Sequence, residues 1–423
     1  MKRVLIIAYY FPPMGGSGVQ RPLGLAKYLP QFGWDPVVLA PEPAAYHTFD
    51  DSLLEEASDE RMEIIRVKNS TIFQMLPGKR KQIKYSEKPG KILRKITEWF
   101  FFPDNKKGWI EPAAEKAIES HQKNKFDLVF STGPPFSNHL AAKIIKKQTG
   151  VPVIMDFRDD WLDNHLVNYP THWHYNKMAE IEANTVKDSD AITVVNSAYE
   201  RALVNRYPDM RRAIIIPNGF DPQKIPLGGF VPRKPDGKFR ITYNGLFYWK
   251  IQPDNFLKAV TISLQRNPDL RDHLEITFTG SDKKRYSALI KSLGIDNLVT
   301  FTDYKEHSDS IGYLKESDLL LLISADNEKM ENVTHGKMFE YFGTRRPVFA
   351  LIPEGVARSL LTRYKAAFIA HPNDISMISY KLLQAYELWL NDKLPKGDEI
   401  FSRSFSRKEQ AKKLAAIMNS LNK

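Results

Sequence analysis

Two series of short apolar runs alternate with longer amphipathic stretches, and this alternation constrains the fold more than any other feature of the sequence. Apolar runs separated by helical patterns indicate parallel strands that are buried on both faces of a sheet. The first series comprises residues 4–8, 36–39, 64–67, 128–131, 152–155, 192–195 and 214–216. The second series comprises residues 240–243, 275–279, 299–302, 319–323, 348–351 and 367–370.

The two series are separated by a segment rich in turn-forming residues. A chain of 423 residues is too long for one ordinary hydrophobic core. We therefore predict an α/β protein with two Rossmann-like, doubly wound parallel-sheet domains and a ligand crevice at the carboxyl ends of their strands. The predicted parts are a first domain (1–217), a linker (218–238), a second domain (239–395) and a C-terminal helix (396–423) that packs back on the first domain.

The composition favours a protein of a reducing compartment. The chain has no cysteine, and its apolar N-terminal run ends at Pro12 without a small-residue cleavage site. No stretch approaches the roughly 20 apolar residues of a membrane-spanning helix. We therefore expect a cytoplasmic protein, either soluble or peripheral at the inner face of the membrane.

The protein is strongly basic. The net charge is +11 and the pI is about 9.3, which favours anionic partners. Residues 79–107 contain ten Lys or Arg against three acidic residues. Within this segment, residues 91–102 combine cations and apolar residues at helical spacing and end in aromatics. Such a pattern suits either an anionic membrane surface, through residues 79–102, or an ordinary surface helix.

A glycine-rich loop joins the first predicted strand to the first predicted helix. Gly15, Gly16, Ser17 and Gly18 allow close backbone approach, and the helix start offers N–H groups to an anion. The spacing matches neither the dinucleotide fingerprint nor a Walker loop. The residues alone leave phosphate contact and a tight turn equally open.

This loop, together with Tyr9 to Pro13 before it and Arg21 after it, resembles the opening of family 4 retaining glycosyltransferases of the GT-B fold. Further segments resemble a polysaccharide or cell-envelope branch of that family, in the order expected along the chain: residues 102–104 with Trp109, 131–135, 156–161 and 216–221. The resemblance implies that the loop of Gly15, Gly16, Ser17 and Gly18 lies against the phosphates and sugar of a nucleotide-sugar donor.

The segment from His335 to Gly343 carries the resemblance in the second half of the chain. The family places two glutamates here, and the later one, Glu340, is expected to bind the donor ribose. A carboxylate suits this task because it can accept hydrogen bonds from two vicinal hydroxyls. The earlier position is Asn332 in this chain, and Gly336 with Lys337 are candidates to compensate at the helix N-terminus.

The remaining donor candidates follow strands of the second domain. The family usually supplies an arginine and a lysine after the first of these strands, whereas here Lys250 is the only basic residue, near Gly245. Gly280 and Tyr304 follow later strands, where the base and ribose are expected.

The resemblance names no firm protein nucleophile. Arg158 and Asp159 take the place of a His-Asp pair that the family often carries near the sugar. Asp159 is a candidate to orient or deprotonate the acceptor, and Arg158 to hold a phosphate or carboxylate; a structural ion pair is the alternative. His139 is a third catalytic candidate, for which a structural role is the alternative.

We predict no metal and no other cofactor, with the nucleotide sugar as substrate. Asp188 and Asp190 form an Asp-x-Asp pattern, but they precede a strand and so lie at the wrong end of it for a ligand site. They are interpreted as a solvated turn.

The predicted function is transfer of a sugar from a nucleotide-sugar donor to a cell-envelope glycan or lipid-linked acceptor, with retention of configuration. One alternative is a GT-B-fold nucleotide-sugar epimerase. Another is a non-catalytic binder of a membrane surface or nucleic acid. We expect no nucleic-acid partner, because charge alone supports that class.

Overall fold

Two parallel β-sheets organise the chain in the computed structural model. The structure describes residues 1–43, 48–58, 62–68, 102–164, 167–210, 213–227, 236–247, 250–280, 283–303 and 305–422. The chain divides into two compact units. One is Met1–Asn218 together with Arg407–Lys423, and the other is Gly219–Ser406.

The first unit contains a seven-stranded parallel sheet with the strand order β3-β2-β1-β4-β5-β6-β7. The chain winds in one direction from β1 to β3 and in the other from β4 to β7. The carboxyl ends of β1 and β4 therefore form the switch point, where ligands bind in doubly wound sheets. The strands are β1 (Lys2–Ile7), β2 (Trp34–Pro41), β3 (Glu63–Val67), β4 (Leu128–Gly133), β5 (Val153–Phe157), β6 (Ala191–Val194) and β7 (Ala213–Ile215).

Helices cover both faces of this sheet, and the alternating side chains of β1 show why. Leu5 and Ile7 pack into the core on one face, and Val4 and Ile6 into the core on the other. All four are fully buried, so a continuous apolar run is required at the centre of the sheet. The described helices are α1 (Ser17–Tyr28), α2 (Asp51–Ala57), α3 (Ile110–Lys123), α4 (Ser137–Thr149), α5 (His172–Lys187) and α6 (Ser197–Arg206).

The second unit repeats the plan with six parallel strands in the order β10-β9-β8-β11-β12-β13. Its switch point lies between the carboxyl ends of β8 and β11. The strands are β8 (Phe239–Asn244), β9 (Leu274–Thr279), β10 (Val299–Thr302), β11 (Leu319–Ile323), β12 (Val348–Leu351) and β13 (Ala367–Ala370). The helices are α7 (Asp254–Arg266), α8 (Leu270–His273), α9 (Lys283–Ser292), α10 (His307–Glu316), α11 (Gly336–Thr344), α12 (Val356–Tyr364), α13 (Ile375–Leu390) and α14 (Glu399–Arg403).

The predicted fold class is confirmed. Every apolar run singled out in the sequence coincides with a strand, and the strand ends differ by at most two residues from the predicted ends. Both sheets are entirely parallel, as expected for strands that alternate with helices.

The segment after Asn218 packs within the second unit over its described part. Phe220 and Ile225 are buried in the same core cluster as the side chains of α11 and α12. Phe220 also fits against Gly343, where an added Cβ would lie 2.6 Å from its ring. The first part of the predicted linker 218–238 therefore contributes apolar side chains to a core.

The C-terminal segment divides between the two units. A helix α15 (Arg407–Leu421) packs on α1 in the first unit, where Trp34 Nε1 donates to Asn419 Oδ1 at 3.2 Å. Residues 396–406, predicted as part of one C-terminal helix, pack in the second unit. Aromatic packing holds them there, because the ring of Phe405 lies 5.3 Å from that of Phe339 and 5.6 Å from that of Phe342.

Candidate functional site

The glycine loop follows β1 at the switch point of the first unit. Gly16 has φ +99°, a conformation that favours glycine, and it begins α1 without a side-chain cap. Gly16 and Ser17 are exposed, whereas Gly15 is buried and donates its N–H to Thr48 O at 3.0 Å. At Gly18, an added Cβ would lie 3.3 Å from Tyr10. The loop thus presents the first turn of α1 to solvent, where an anion is favoured.

Arg158 fixes this loop to the neighbouring strand ends. Its Nη1 donates to Gly18 O at 2.5 Å, its Nε donates to Gly133 O at 3.3 Å, and its Nη2 donates to Pro134 O. Burial lowers the pKa of Arg158, although the nearby Asp156 and Asp159 favour its charged form. Most hydrogen-bond donors of Arg158 are therefore used by these three carbonyls, and fewer remain for the phosphate or carboxylate that the sequence analysis suggested. The contacts indicate that Arg158 stabilises the loops at the switch point.

A buried ion pair lies in the same unit. Arg21 Nη2 is 2.7 Å from Asp156 Oδ1, and its Nε is 2.9 Å from Oδ2. Thr132 and Thr193 also donate to this carboxylate, at 2.7 and 2.6 Å. Burial alone would raise the pKa of Asp156, but the charge of Arg21 and these hydrogen bonds hold it below its usual value. The pair ties α1 to β5.

Asp159 follows Arg158 directly and is partly buried. Asp159 thus lies just after the carboxyl end of β5, the sheet edge that carries the glycine loop. This placement leaves its proposed role toward the acceptor an open prediction.

His139 lies in the aromatic core of the first unit. It is fully buried, its Nδ1 lies 2.7 Å from Ser131 Oγ, and its ring stacks on Phe157 at 4.9 Å. Burial lowers the pKa of His139 to about 3, so the ring is neutral at physiological pH. This environment favours the packing role over the catalytic one.

Two glycine turns lie side by side at the carboxyl edge of the second sheet. Gly245 follows β8 with φ +124°, and Gly280 follows β9 with φ +76°. An added Cβ at Gly280 would lie 3.8 Å from the backbone of Gly245. Both predicted donor glycines therefore expose bare backbone at one place, which permits close approach of a ligand.

Lys337 lies at this place, in the first turn of α11. Its ammonium is 3.0 Å from the position that a Cβ of Gly245 would occupy, and it sits 3.8 Å from the ring centroid of Tyr243. Burial lowers the pKa of Lys337 to about 7, although Glu340 favours its charged form. A cation with this environment next to bare backbone is a candidate to meet a phosphate.

Glu340 lies one turn further along α11, on the same face as Lys337. Its Oε1 is 2.8 Å from Nε2 of His307, the first residue of α10, and both side chains are largely buried. The structure thus places Lys337 beside Gly245 at the β8–β11 switch point, with Glu340 one helical turn away.

The other residues predicted to bind the donor are not among the contacts of Lys337 and Glu340 described above. Gly336 is the exposed first residue of α11. Lys250 is exposed and lines a cavity of about 100 Å³ with Gln252, Asp254, Asn255, Ile323, Ser324, Asp326, Leu351, Pro372 and Asn373. Tyr304 lies outside the described residues, and Asn332 is exposed at the end of a short 3-10 helix.

The Asp-x-Asp pattern has a structural role. Asp190 lies 2.6 Å from Lys146 and accepts the N–H of Val153 at 2.8 Å, and Asp188 lies 2.8 Å from Lys143. Both aspartates precede β6, as predicted, but Asp190 is engaged by partners and is not a solvated turn residue. Among the described residues no group of three or more His, Cys, Asp or Glu could hold a metal ion.

Sequence reasoning missed His307 and the link between Arg21 and Asp156. His307 begins a helix after β10, so it lies at the same sheet edge as the donor candidates. That position could have marked His307 as a site candidate. Its contact with Glu340 could not be predicted, because the two residues are 33 positions apart in the chain. Arg21 and Asp156 were noted only as parts of longer motifs.

Two doubly wound parallel sheets in one chain, each with glycine turns and cations at its switch point, are typical of the GT-B class. The family model described as glycosyl transferase 4-like domain matches residues 15–219, and the one described as glycosyl transferases group 1 matches residues 229–396. The chain belongs to the GT-B glycosyltransferases and is a transferase. These matches favour transfer over the epimerase and the non-catalytic binder.

Solved structures support the same fold at low sequence identity. Sucrose-phosphate synthase from Thermosynechococcus elongatus is 13% identical, with a TM-score of 0.64, and covers 100% of this chain and 99% of its own. HepE from Anabaena, in complex with UDP and glucose, is 15% identical, with a TM-score of 0.62 and coverage of 99% and 100%. The lipopolysaccharide outer core galactosyltransferase WaaB is 11% identical, with a TM-score of 0.58 and coverage of 99% of both chains. No curated protein matches the chain by sequence.

Proposed function

We propose that this glycosyltransferase takes its sugar from a nucleoside-diphosphate donor bound at the β8–β11 switch point. The observation that carries the proposal is the juxtaposition of Lys337 with Gly245, one helical turn from Glu340. The bare backbone of Gly245 and Gly280 admits the diphosphate, Lys337 supplies the cation, and Glu340 accepts the ribose hydroxyls. Structural neighbours solved with UDP and glucose, and with UDP-glucose, support a donor of this kind.

We propose the following transfer step for a donor bound there. The acceptor hydroxyl oxygen forms a bond to the anomeric carbon, the bond from that carbon to the phosphate oxygen breaks, and the diphosphate leaves. The proton of the acceptor passes to the leaving phosphate, on the same face of the sugar, so that the configuration is retained. Lys337 stabilises the negative charge that develops on the diphosphate, and no metal is required.

Calorimetric titration with UDP, GDP, ADP and dTDP in the presence of EDTA tests the donor site. We expect one of these nucleotides to bind the wild type. The Glu340→Gln variant should bind it at least about tenfold more weakly, because hydrogen bonds to a charged group contribute more than those to a neutral one.

The matched control is Glu387→Gln, an exposed residue of α13. This variant should bind like the wild type. If a folded wild type binds none of the four nucleotides, or binds only when a divalent metal is added, the proposed donor site is wrong.

We further propose that the acceptor is a cell-envelope glycan or lipid-linked intermediate, reached at an anionic membrane surface. Residues 79–102 supply the basic, aromatic sequence, and all of them except Phe102 lie outside the described residues. Phe102 packs edge-on against Trp173 at 6.0 Å, and Trp173 is 62% exposed. An exposed tryptophan beside the end of a basic segment is typical of a membrane interface. None of the helices in the described ranges is long and apolar enough to cross a membrane.

Sedimentation with vesicles tests this contact. We expect the protein to sediment with vesicles that contain anionic lipid at low salt, less at high salt, and not with neutral vesicles. Trp173→Ala should weaken the binding. If no protein sediments with anionic vesicles at low salt, membrane contact is wrong.

A further inference from the structure

His307 holds the carboxylate that the proposed function assigns to the donor ribose. Its Nε2 lies 2.8 Å from Glu340 Oε1, and the side chains of His307 and Glu340 are 12% and 14% exposed. A hydrogen bond to a carboxylate in so sheltered a place restricts the rotamer of the glutamate more than a solvated contact does. His307 begins α10 and Glu340 lies within α11, so the contact also joins the two helices.

Lys224 selects the tautomer of this histidine. Its Nζ lies 3.5 Å from Nδ1 of His307, on the side of the ring opposite to Glu340. An ammonium group donates hydrogen bonds and accepts none, so Nδ1 of the neutral ring must accept. The ring proton then resides on Nε2, where it points at Glu340. Lys224, His307 and Glu340 therefore form a directed series of donors that ends on the carboxylate.

We propose that His307 is a positioning residue, which holds Glu340 in the orientation that accepts the ribose hydroxyls of the donor nucleotide, with Lys224 fixing the required tautomer. This inference rests on the proposed function, because it presumes that Glu340 binds ribose. His307 acts through Glu340 and has no contact with the nucleotide in this account. Its removal therefore reduces recognition of the hydroxyls specifically, and not affinity in general.

The test compares each nucleotide with its 2′-deoxy counterpart: UDP with dUDP, GDP with dGDP, ADP with dADP, and the ribose form of TDP with dTDP. The measured quantity is the ratio of the two dissociation constants for the base that binds. We expect a ratio of about ten or more in the wild type, since the lost hydroxyl donates to a charged group. In His307→Phe the ratio should fall severalfold toward one. In His307→Gln, whose side-chain amide can still donate to Glu340, the ratio should stay close to that of the wild type.

The outcomes distinguish the inference from the proposed function. If Glu340→Gln lowers the ratio but His307→Phe weakens both nucleotides equally, His307 is merely structural and the inference is wrong. If Glu340→Gln itself keeps the wild-type ratio, the ribose assignment is wrong and the inference falls with it. His307→Asn, which is too short to reach Glu340, replaces His307→Phe if that variant does not fold, and it should show the same fall. His172→Gln, an exposed histidine of the first unit, is the control and should keep the ratio.

Discussion

At the scale of single residues, neighbours in space decide what each candidate can do. In the sequence, Lys250 is the basic candidate after the first strand of the second domain, and Lys337 with Gly336 is the candidate to compensate at a helix start. In the structure Lys337 is partly buried beside Gly245 and the ring of Tyr243, whereas Lys250 is exposed. Burial makes the ammonium of Lys337 more responsive to an added anion, because desolvation has already weakened its charged form.

Glu340 and His307 differ in how well the sequence predicts their roles. The position of Glu340 followed from a motif within one helix, which sequence reasoning can read. The contact of His307 depends on how α10 packs against α11, and a single sequence carries no record of that packing. For the same reason the core position of His139 could not be distinguished in advance from a position at the sheet edge.

A buried carboxylate in the first unit leads to a prediction about stability. Glu182 is fully buried, accepts the hydroxyl of Tyr207 at 2.9 Å and lies 3.6 Å from Arg206. Burial raises the pKa of Glu182 to about 7, which Arg206 opposes and Asp160 reinforces. The folded state therefore holds a proton that the unfolded state releases at lower pH. Between about pH 4.5 and 7 the stability contributed by this group falls as the pH rises.

Glu182→Gln should remove this loss, because a glutamine keeps the hydrogen bond to Tyr207 without a charge. Relative to the wild type, the variant should gain on the order of 1–3 kcal/mol between pH 5 and pH 8. Thermal unfolding at both pH values measures the difference, with Glu180→Gln, an exposed residue of the same helix, as control. An equal difference between variant and wild type at the two pH values would contradict the buried, protonated state.

At the scale of elements, the apolar periodicity of the sequence was sufficient to predict every strand of both sheets. The reason is physical: a strand covered on two faces has no polar positions, so its run is continuous and stands out. Val4 to Ile7 and Leu319 to Ile323 are completely or almost completely buried in this way. Helix starts can also be predicted from the sequence where a short polar residue caps them. Asn196 is such a cap, because its side chain accepts the N–H of Tyr199 at 2.9 Å.

Segments outside the strands were less predictable. Phe220, Phe401 and Phe405 occur among turn formers and charged residues, and their sequence neighbours suggest a linker or a surface helix. In the structure all three belong to the apolar cluster around α11. Isolated aromatic residues bury large areas wherever a cavity accepts them, and local periodicity does not record which core that is.

At the scale of the whole molecule, the family match and the two sheets agree with a repeated architecture. Each unit has one switch point, and each switch point carries glycines and cations held by defined contacts. In the first unit, the donors of Arg158 go mainly to backbone carbonyls. In the second unit, Lys337 and Glu340 share one helix face. Because of this contrast, we propose that the donor binds to the second unit.

The most direct measurement follows nucleotide-sugar cleavage and transfer by phosphorus and proton NMR, in EDTA, with a panel of UDP-, GDP-, ADP- and dTDP-sugars and a lipid-linked glycan acceptor. We expect the wild type to release the diphosphate from one donor, and the product to keep the anomeric configuration of that donor. Lys337→Met should slow release by about a hundredfold or more, since it removes a cation from the leaving group, whereas Lys258→Met, at an exposed position of α7, should not. Release that is unchanged in Lys337→Met, or that requires an added metal ion, would rule out Lys337 as the group that stabilises the leaving diphosphate.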